Sequence, residues 1–332
     1  MNNILVLGAG AWGTAIANLI AVNTKKNVYL WSLEEEVAKD INSGLINKKY
    51  LPNKKVSKYI IANSTLPKFN TEIIFVVIPS QFIFGFFDKF KSHFEKYKKK
   101  PYSFIICSKG IDLKRKEFLS NIIKFIFPKS NIAVLSGPSF AVDVVNKKPT
   151  AVTLATKSSK LEKTIVNLLR NNYFRIYLSK DIIGVQINAT MKNVLAIAAG
   201  LTEGLNLGEN ARAAILARGI KEIIRLTKAV GGKKETAIGL SGIGDIILTC
   251  VSKSSRNYKL GFMLGNGKNL RSIIGKNNYV TEGMENIKVV YYLKRKYKVN
   301  MPILEAVYSV LVNEKELDKV IKGLLSRPLS SE

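Results

Sequence analysis

The chain is poor in the residues that most often carry metal or redox chemistry: one histidine and two cysteines in 332 positions. Cys107 and Cys250 lie far apart and lack metal-ligand spacing, so no disulfide framework and no metal site are expected. A reducing compartment and packed core thiols are the default reading. The histidine, His93, falls in Lys91-Ser92-His93-Phe94 and reads as a surface residue. No uninterrupted apolar run reaches about 18 residues. The N-terminus enters an apolar strand directly, in place of a basic, apolar, small-residue leader. A cytoplasmic location without integral membrane association is therefore expected.

Acidic side chains are also scarce, 24 against 52 basic ones, for a formal charge of +28. Such a field attracts polyanions, so nucleic acid and anionic membrane surfaces come into consideration. The lysines are nevertheless scattered, as in Lys96-Tyr97-Lys98-Lys99-Lys100, with no recognisable nucleic-acid module. Lys, Asn and Ile are abundant together, as an AT-rich coding bias produces. Nucleic acid is not expected as a partner, whereas a small phosphorylated substrate would gain from the field. The length exceeds that at which one core keeps growing, so two domains are expected.

What is present begins at once. Ile4-Leu5-Val6-Leu7 has the all-apolar character of a strand buried on both faces of a parallel sheet, and Gly8, Gly10 and Gly13 complete a G-x-G-x-x-G turn before a small-residue helix. Gly8 permits the tight turn, Gly10 admits a pyrophosphate against the backbone, and Gly13 lets helix and sheet pack closely. The anion would rest on N–H groups at the helix start. Further strands are predicted at 27–31, 73–78, 102–107 and 132–135, with a helix at 34–43 closed by Gly44. Two more strand-like runs, 151–156 and 174–179, extend the sheet. Alternation of strand and helix predicts a Rossmann-like, doubly wound parallel sheet over residues 1–180, its ligands beyond the carboxyl ends of the strands. Gly8, Pro79, Lys109 and Gly137 should then border one crevice. From Asp181 the texture turns helical, and residues 181–332 are expected to form an all-helical substrate and catalytic domain.

Within that half, Asn188 and Lys192 share one face of an apolar helix. Lys192, flanked by Met191, Val194 and Leu195, either snorkels to water or is held in a partly dry site. The segment Gly242-Ile243-Gly244-Asp245 and the run Ser254-Ser255-Arg256-Asn257 add a glycine-hinged acid, a guanidinium able to fork onto phosphate oxygens, and an amide. Taken alone, Asp245 is equally a helix cap and Arg256 equally a solvated charge.

Together the motifs resemble the NAD(P)-dependent glycerol-3-phosphate dehydrogenases, specifically the bacterial type of phospholipid precursor synthesis. The resemblance spans almost the whole chain: GAGAWGTAIA at 8, SKGI at 108, SGPSFA at 136, MKNVLAIAAGLTEGLNLGENARAAILARG at 191, GLSGIGDIILTC at 239, SSRNYKLG at 254, VTEG at 280, MPILEAVY at 301 and SRPLSSE at 326. It implies hydride exchange between a nicotinamide dinucleotide and the glycerol 3-phosphate/dihydroxyacetone phosphate couple. Lys192 would be the catalytic acid/base with Asp245 beside it, and Lys109, Gly137, Ser139, Asp245, Ser255, Arg256 and Asn257 would contact substrate. Gly8, Gly10, Ala11, Trp12, Gly13, Lys109, Ala141, Arg256, Val280 and Glu282 would contact the dinucleotide. A proton donor for the alkoxide and cations for the phosphate are what that chemistry needs, so a histidine-based hydride mechanism is not expected.

Two departures stand out. Gln186, Asn188 and Thr190 occupy positions where the family more often has Glu, Gly and Ala, so helix packing there is expected to differ. At the turn Ser32-Leu33-Glu34 many bacterial members carry arginine where this chain has Leu33. Glu34, about twenty positions beyond the glycine turn, sits where an acid accepts ribose hydroxyls and repels a 2′-phosphate. NAD(H) is therefore slightly favoured over NADP(H), although Lys48, Lys49 and Lys54 lie near in sequence, and the alternative reading of Glu34 is that it only begins the next helix. Competing readings are another hydroxyacid or phosphosugar dehydrogenase and a dinucleotide-sensing or polyanion-binding protein. A homodimer is left open.

Overall fold

The computed structural model describes residues 3–277 and 282–328. Contacts divide the chain into two compact units, Met1–Asp112 with Glu117–Val185, and Leu113–Lys116 with Gln186–Glu332. The division falls inside a helix. Ile182 and Val185 of that helix still pack on the apolar face of the sheet.

The first unit is built on eight strands: β1 (Ile4–Leu7), β2 (Val28–Trp31), β3 (Ile60–Asn63), β4 (Ile73–Val76), β5 (Ser103–Ile106), and, after the small β6 (Ile111–Asp112)/β7 (Glu117–Phe118) hairpin, β8 (Asn131–Ser136), β9 (Thr150–Thr156) and β10 (Phe174–Ser179). Their order is β10-β9-β8-β5-β4-β1-β2-β3. From β3 to β8 all neighbours are parallel, in the doubly wound arrangement that the alternation predicts. The expectation of a wholly parallel sheet is corrected at one seam: β9 runs antiparallel to β8, and β10 is parallel to β9. Between β8 and β9 there is only a tight turn and the short helix α5 (Ala141–Val145), without a full crossover helix to return the chain to the other end of the sheet.

Helices α1 (Ala11–Thr24), α2 (Glu35–Gly44), α3 (Ile83–Tyr97), α4 (Leu119–Ile126), α5 and α6 (Ser159–Leu169) cover the sheet. One face packs Val6, Ile16, Ile20, Leu30 and Leu154; the other packs Leu7, Phe87, Phe104 and Phe127, with Phe87 edge-on to both Phe104 and Phe127. Gly44 is the last residue of α2, and the left-handed turn beyond it falls to Leu45 (φ 53°). His93 is half-buried on α3, in place of the expected surface position. Its Nε2 is 3.1 Å from the Pro67 carbonyl and its ring packs on Tyr97, so it fastens the loop that leads into β4.

The second unit is helical among the described residues apart from its hairpin tip: α7 (Ile182–Gly204, its first turn in the other unit), α8 (Gly208–Ala229), α9 (Lys234–Ile238), α10 (Asp245–Val251), α11 (Arg256–Gly265), α12 (Leu270–Asn277), α13 (Glu282–Lys296), α14 (Pro302–Leu311) and α15 (Leu317–Leu325). Helix α7 is, among the described residues, the one helix long and apolar enough to cross a membrane. Its most apolar window is 89% buried inside the protein, which is the environment of a core helix.

Glu222 of α8 is fully buried and accepts from the backbone N–H groups of Ile303 (2.7 Å) and Leu304 (3.1 Å), closing the start of α14. Burial pushes its carboxyl up to about 7, against those two hydrogen bonds and the Arg225 charge, which pull it down. Between the unfolded value of 4.5 and about 7 the folded protein therefore holds a proton that the unfolded chain releases. This contribution to stability is complete below 4.5 and is lost as pH rises through 7, by a total on the order of 3 kcal/mol. Denaturant unfolding from pH 4.5 to 8 should show Glu222→Gln less pH-dependent than the parent by that amount; identical slopes would show that Glu222 does not titrate in this range.

Candidate active site

In the first unit, the glycine turn has the geometry that its spacing requires. Gly8 lies at φ +112°, where side chains are strained, and a Cβ on Gly13 would fall 1.8 Å from the Gly8 carbonyl oxygen. A Cβ on Gly10 would meet nothing within 4 Å. Helix α1 starts immediately after Gly10 and has no acidic side chain in its first turn, so its positive end is not neutralised. Trp12 packs on the core beside it. This open, uncharged-by-acid cradle fits the pyrophosphate of a dinucleotide. The other crevice residues lie at the same ends of the strands. Ser108 donates its hydroxyl to Val76 O (3.1 Å) and Ile78 O (2.5 Å), tying the loop that carries Lys109 to the one after β4. Gly137 lies at φ +146° with Val152 packed against it, and Ser139 donates to its carbonyl (2.9 Å) just before Ala141 opens α5. Burial holds the Cys107 thiol protonated, with the Lys109 charge pulling the other way.

A segment that the strand pattern does not reveal frames the far side of the turn. Asn47, fully buried, donates to Ala9 O and Thr14 Oγ1, both at 2.8 Å, and accepts from Tyr50 N at 3.0 Å. The turn Lys48-Lys49-Tyr50 is thereby fixed to the glycine loop. Lys49 Nζ reaches Glu34 at 2.5 Å, and Lys48 reaches Asp40 at 2.6 Å. The Lys49 hydrogen bond holds the Glu34 carboxyl below its ordinary range, burial opposing it and a Tyr50 hydrogen bond adding to it.

In the second unit, Lys192 of α7 and Asp245, the first residue of α10, form an ion pair at 2.5 Å with side chains only 5% and 1% exposed. Lys192 is thus held in a dry site and does not snorkel. A single π-helical turn, Leu240–Gly244, precedes Asp245, and Gly242 lies so close to Ala237 that a Cβ would fall 1.9 Å from its carbonyl oxygen. Cys250, one turn further along α10, stays a thiol because of burial, the Lys192 charge opposing and the Asp245 charge reinforcing.

Asn193, the neighbour of Lys192 in α7, and Asn257 bring a further set of groups together. Asn193 Nδ2 donates to Glu282 at 3.2 Å, and the Asn257 carbonyl oxygen accepts from Gly283 N at 3.0 Å. A Cβ on Gly283 would meet both Asn257 and the Asn193 carbonyl, so α7, α11 and the start of α13 converge there. Ser255 caps α11, its Oγ accepting from Tyr258 N at 3.3 Å, and the exposed Arg256 is the first helical residue. Val280 lies outside the described residues. Asn188 does not join the pair: its amide bonds Thr236 O and its carbonyl oxygen accepts from Thr227, both at 3.1 Å, fastening α7 to α8 and α9. Sequence reading also missed Glu203 at the end of α7, which takes the Tyr258 hydroxyl and Arg212 and so braces α11. Its only signal is an acid at the end of an apolar helix.

With this geometry, the match to known families is specific. The model of the NAD-dependent glycerol-3-phosphate dehydrogenase N-terminus matches residues 3–162, and that of the C-terminus matches residues 181–322. The chain belongs to the NAD-dependent glycerol-3-phosphate dehydrogenase family. Curated relatives called glycerol-3-phosphate dehydrogenase [NAD(P)+] include one from Hyphomonas neptunium, 40% identical over 98% of this chain and 96% of its own. Another, from Parvibaculum lavamentivorans, is 38% identical over 99% and 98%. The crystal structure of glycerol-3-phosphate dehydrogenase from Coxiella burnetii, 34% identical, superposes with a TM-score of 0.91 over 98% of this chain and 99% of that one.

Helices α7 and α11 approach closely. A Cβ on Gly261 would fall 2.0 Å from the Ile197 carbonyl oxygen, and one on Gly200 would fall 2.1 Å from that of Tyr258. Gly261→Ala should therefore cost about 1–3 kcal/mol of stability, as overpacking does, and should lower activity by shifting Arg256 and Asn257. Gly85→Ala, on the exposed face of α3 with nothing within 4 Å, should instead stabilise by roughly 0.5–1 kcal/mol. Equal effects in urea denaturation would show that the α7–α11 approach is not tight.

Proposed function

We propose that the protein is a cytoplasmic enzyme that interconverts sn-glycerol 3-phosphate and dihydroxyacetone phosphate with NAD(H) or NADP(H), NAD(H) favoured, and supplies glycerol 3-phosphate for phospholipid synthesis. The observation that carries the reading is the buried Lys192–Asp245 pair beside Asn193, Asn257 and Glu282. The first unit is the dinucleotide-binding domain and the helical unit the substrate and catalytic domain. Gly8, Gly10, Ala11, Trp12 and Gly13 hold the dinucleotide, with Lys109, Ala141, Arg256, Val280 and Glu282 as further contacts. When bound, the reduced nicotinamide supplies the hydride. No nucleic acid takes part, and a homodimer is the assembly that we propose.

With the dinucleotide bound, reduction of the substrate carbonyl would leave negative charge on its oxygen. Lys192 Nζ gives that oxygen its proton, and solvent reprotonates the amine. In the oxidative direction the neutral amine takes the hydroxyl proton as hydride leaves. Asp245 holds Nζ in place, which fixes the donor before charge develops. Lys109, Gly137, Ser139, Ser255, Arg256 and Asn257 contact the substrate, Arg256 matching a phosphate dianion with a charged fork.

The test is oxidation of NADH and of NADPH by the full chain with dihydroxyacetone phosphate. Turnover is expected, and its absence with both coenzymes in folded protein would sink the reading. Arg256→Ala should lose about tenfold or more in kcat/KM, since a hydrogen bond to a charged group is worth roughly 1.5–3 kcal/mol. Unphosphorylated dihydroxyacetone, already poor, should lose little further; an equal loss for both ketones would assign Arg256 to the dinucleotide or to folding.

A further inference from the structure

An acid at the end of β2 repels a 2′-phosphate only while its charge is uncompensated. Here it is compensated. Lys49 Nζ lies 2.5 Å from Glu34, on a turn that Asn47 ties by two 2.8 Å hydrogen bonds to the residues of the glycine loop. The lysine is therefore stationed at the adenosine end of the cradle by buried contacts, and does not drift on a free loop. We infer that Lys49 is a specificity-determining residue for the coenzyme: paired with Glu34 it cancels the acid's repulsion and offers its ammonium to a 2′-phosphate, so that NADP(H) is admitted alongside NAD(H).

The inference rests on the dinucleotide-binding reading above. Its physical basis is partner exchange. The Lys49 side chain is 57% exposed and that of Glu34 is 35% exposed, and exposed ion pairs are weak, so Lys49 can turn from carboxylate to phosphate at little cost. With NAD(H) bound, Lys49 stays on Glu34 and the carboxylate accepts from the ribose hydroxyls. With NADP(H) bound, the 2′-phosphate takes the ammonium. Two other acids of α2 are paired elsewhere: Asp40 holds Lys48 at 2.6 Å and Glu35 holds Lys39 at 2.9 Å. Leu33, 81% exposed, supplies no charge of its own.

Calorimetric titration of the full chain with 5′-AMP and with 2′,5′-ADP isolates the 2′-phosphate without any turnover. The parent should bind both. Lys49→Met should weaken 2′,5′-ADP by about tenfold or more while changing 5′-AMP by less than about threefold, the loss expected for one charged hydrogen bond. Glu34→Gln should tighten 2′,5′-ADP, and Lys48→Met, whose partner is Asp40, should leave the ratio of the two affinities unchanged. Lys49→Met weakening both nucleotides equally, or neither, would overturn the inference, as would a Lys48→Met variant with the effect expected of Lys49. A parent that binds 5′-AMP but shows any of these results refutes the role of Lys49 alone. A folded parent that binds neither nucleotide refutes the dinucleotide reading, and the inference with it.

Discussion

Lys192 and Asp245 face each other at 2.5 Å, with almost no exposure to water, in the middle of a helical unit. Burying two charges costs several kcal/mol per ion, repaid only when the geometry is held tightly. The surroundings supply that hold from both sides. Lys192 belongs to the most buried helix of the unit, α7, while Asp245 is placed by a π-helical turn whose Gly242 lies against Ala237. Removing either residue would leave the other as an uncompensated buried charge.

The rest of the helical unit is held by equally close packing. Gly200 and Gly261 let α7 and α11 approach until backbone meets backbone, and this delivers Asn257 to Gly283 and Asn193 to Glu282. Asn188 and Glu203 act one turn or more away as fasteners, the first to α8 and α9, the second to Tyr258. In the first unit close approach plays the same part: Gly13 packs against Gly8, and Gly137 against Val152, where a side chain would meet backbone.

Much of this was legible in the sequence, for reasons that differ by element. The β1 run and its glycines identify themselves because burial on both faces and a positive φ each leave a residue signature. Strand β3 does not, since four residues at a sheet edge with alternate burial carry too little pattern. The antiparallel β8–β9 seam depends on the path of a connection, and composition does not record a path. Lys192 could be placed on a helix but not in or out of water, because that depends on Asp245, whose partnership no local spacing encodes. Asn188 shares a face with Lys192 by periodicity, yet Thr227 and Thr236 claim it. Likewise the sequence puts Lys48, Lys49 and Lys54 near Glu34 without marking which one meets it, and it is Asn47 that fixes the turn bringing Lys49 there.

In the proposed mechanism, proton donation by Lys192 is the step on which the chemistry turns. The most direct measurement is the turnover of Lys192→Ala with dihydroxyacetone phosphate and NADH, in protein shown to be folded by unchanged NADH binding and with ethylamine titrated in. If Lys192 is the donor, turnover falls by about 10²- to 10⁴-fold, the range typical of general acid catalysis, and the amine restores part of it. Turnover within about threefold of the parent would contradict that role, because a general acid contributes far more than threefold.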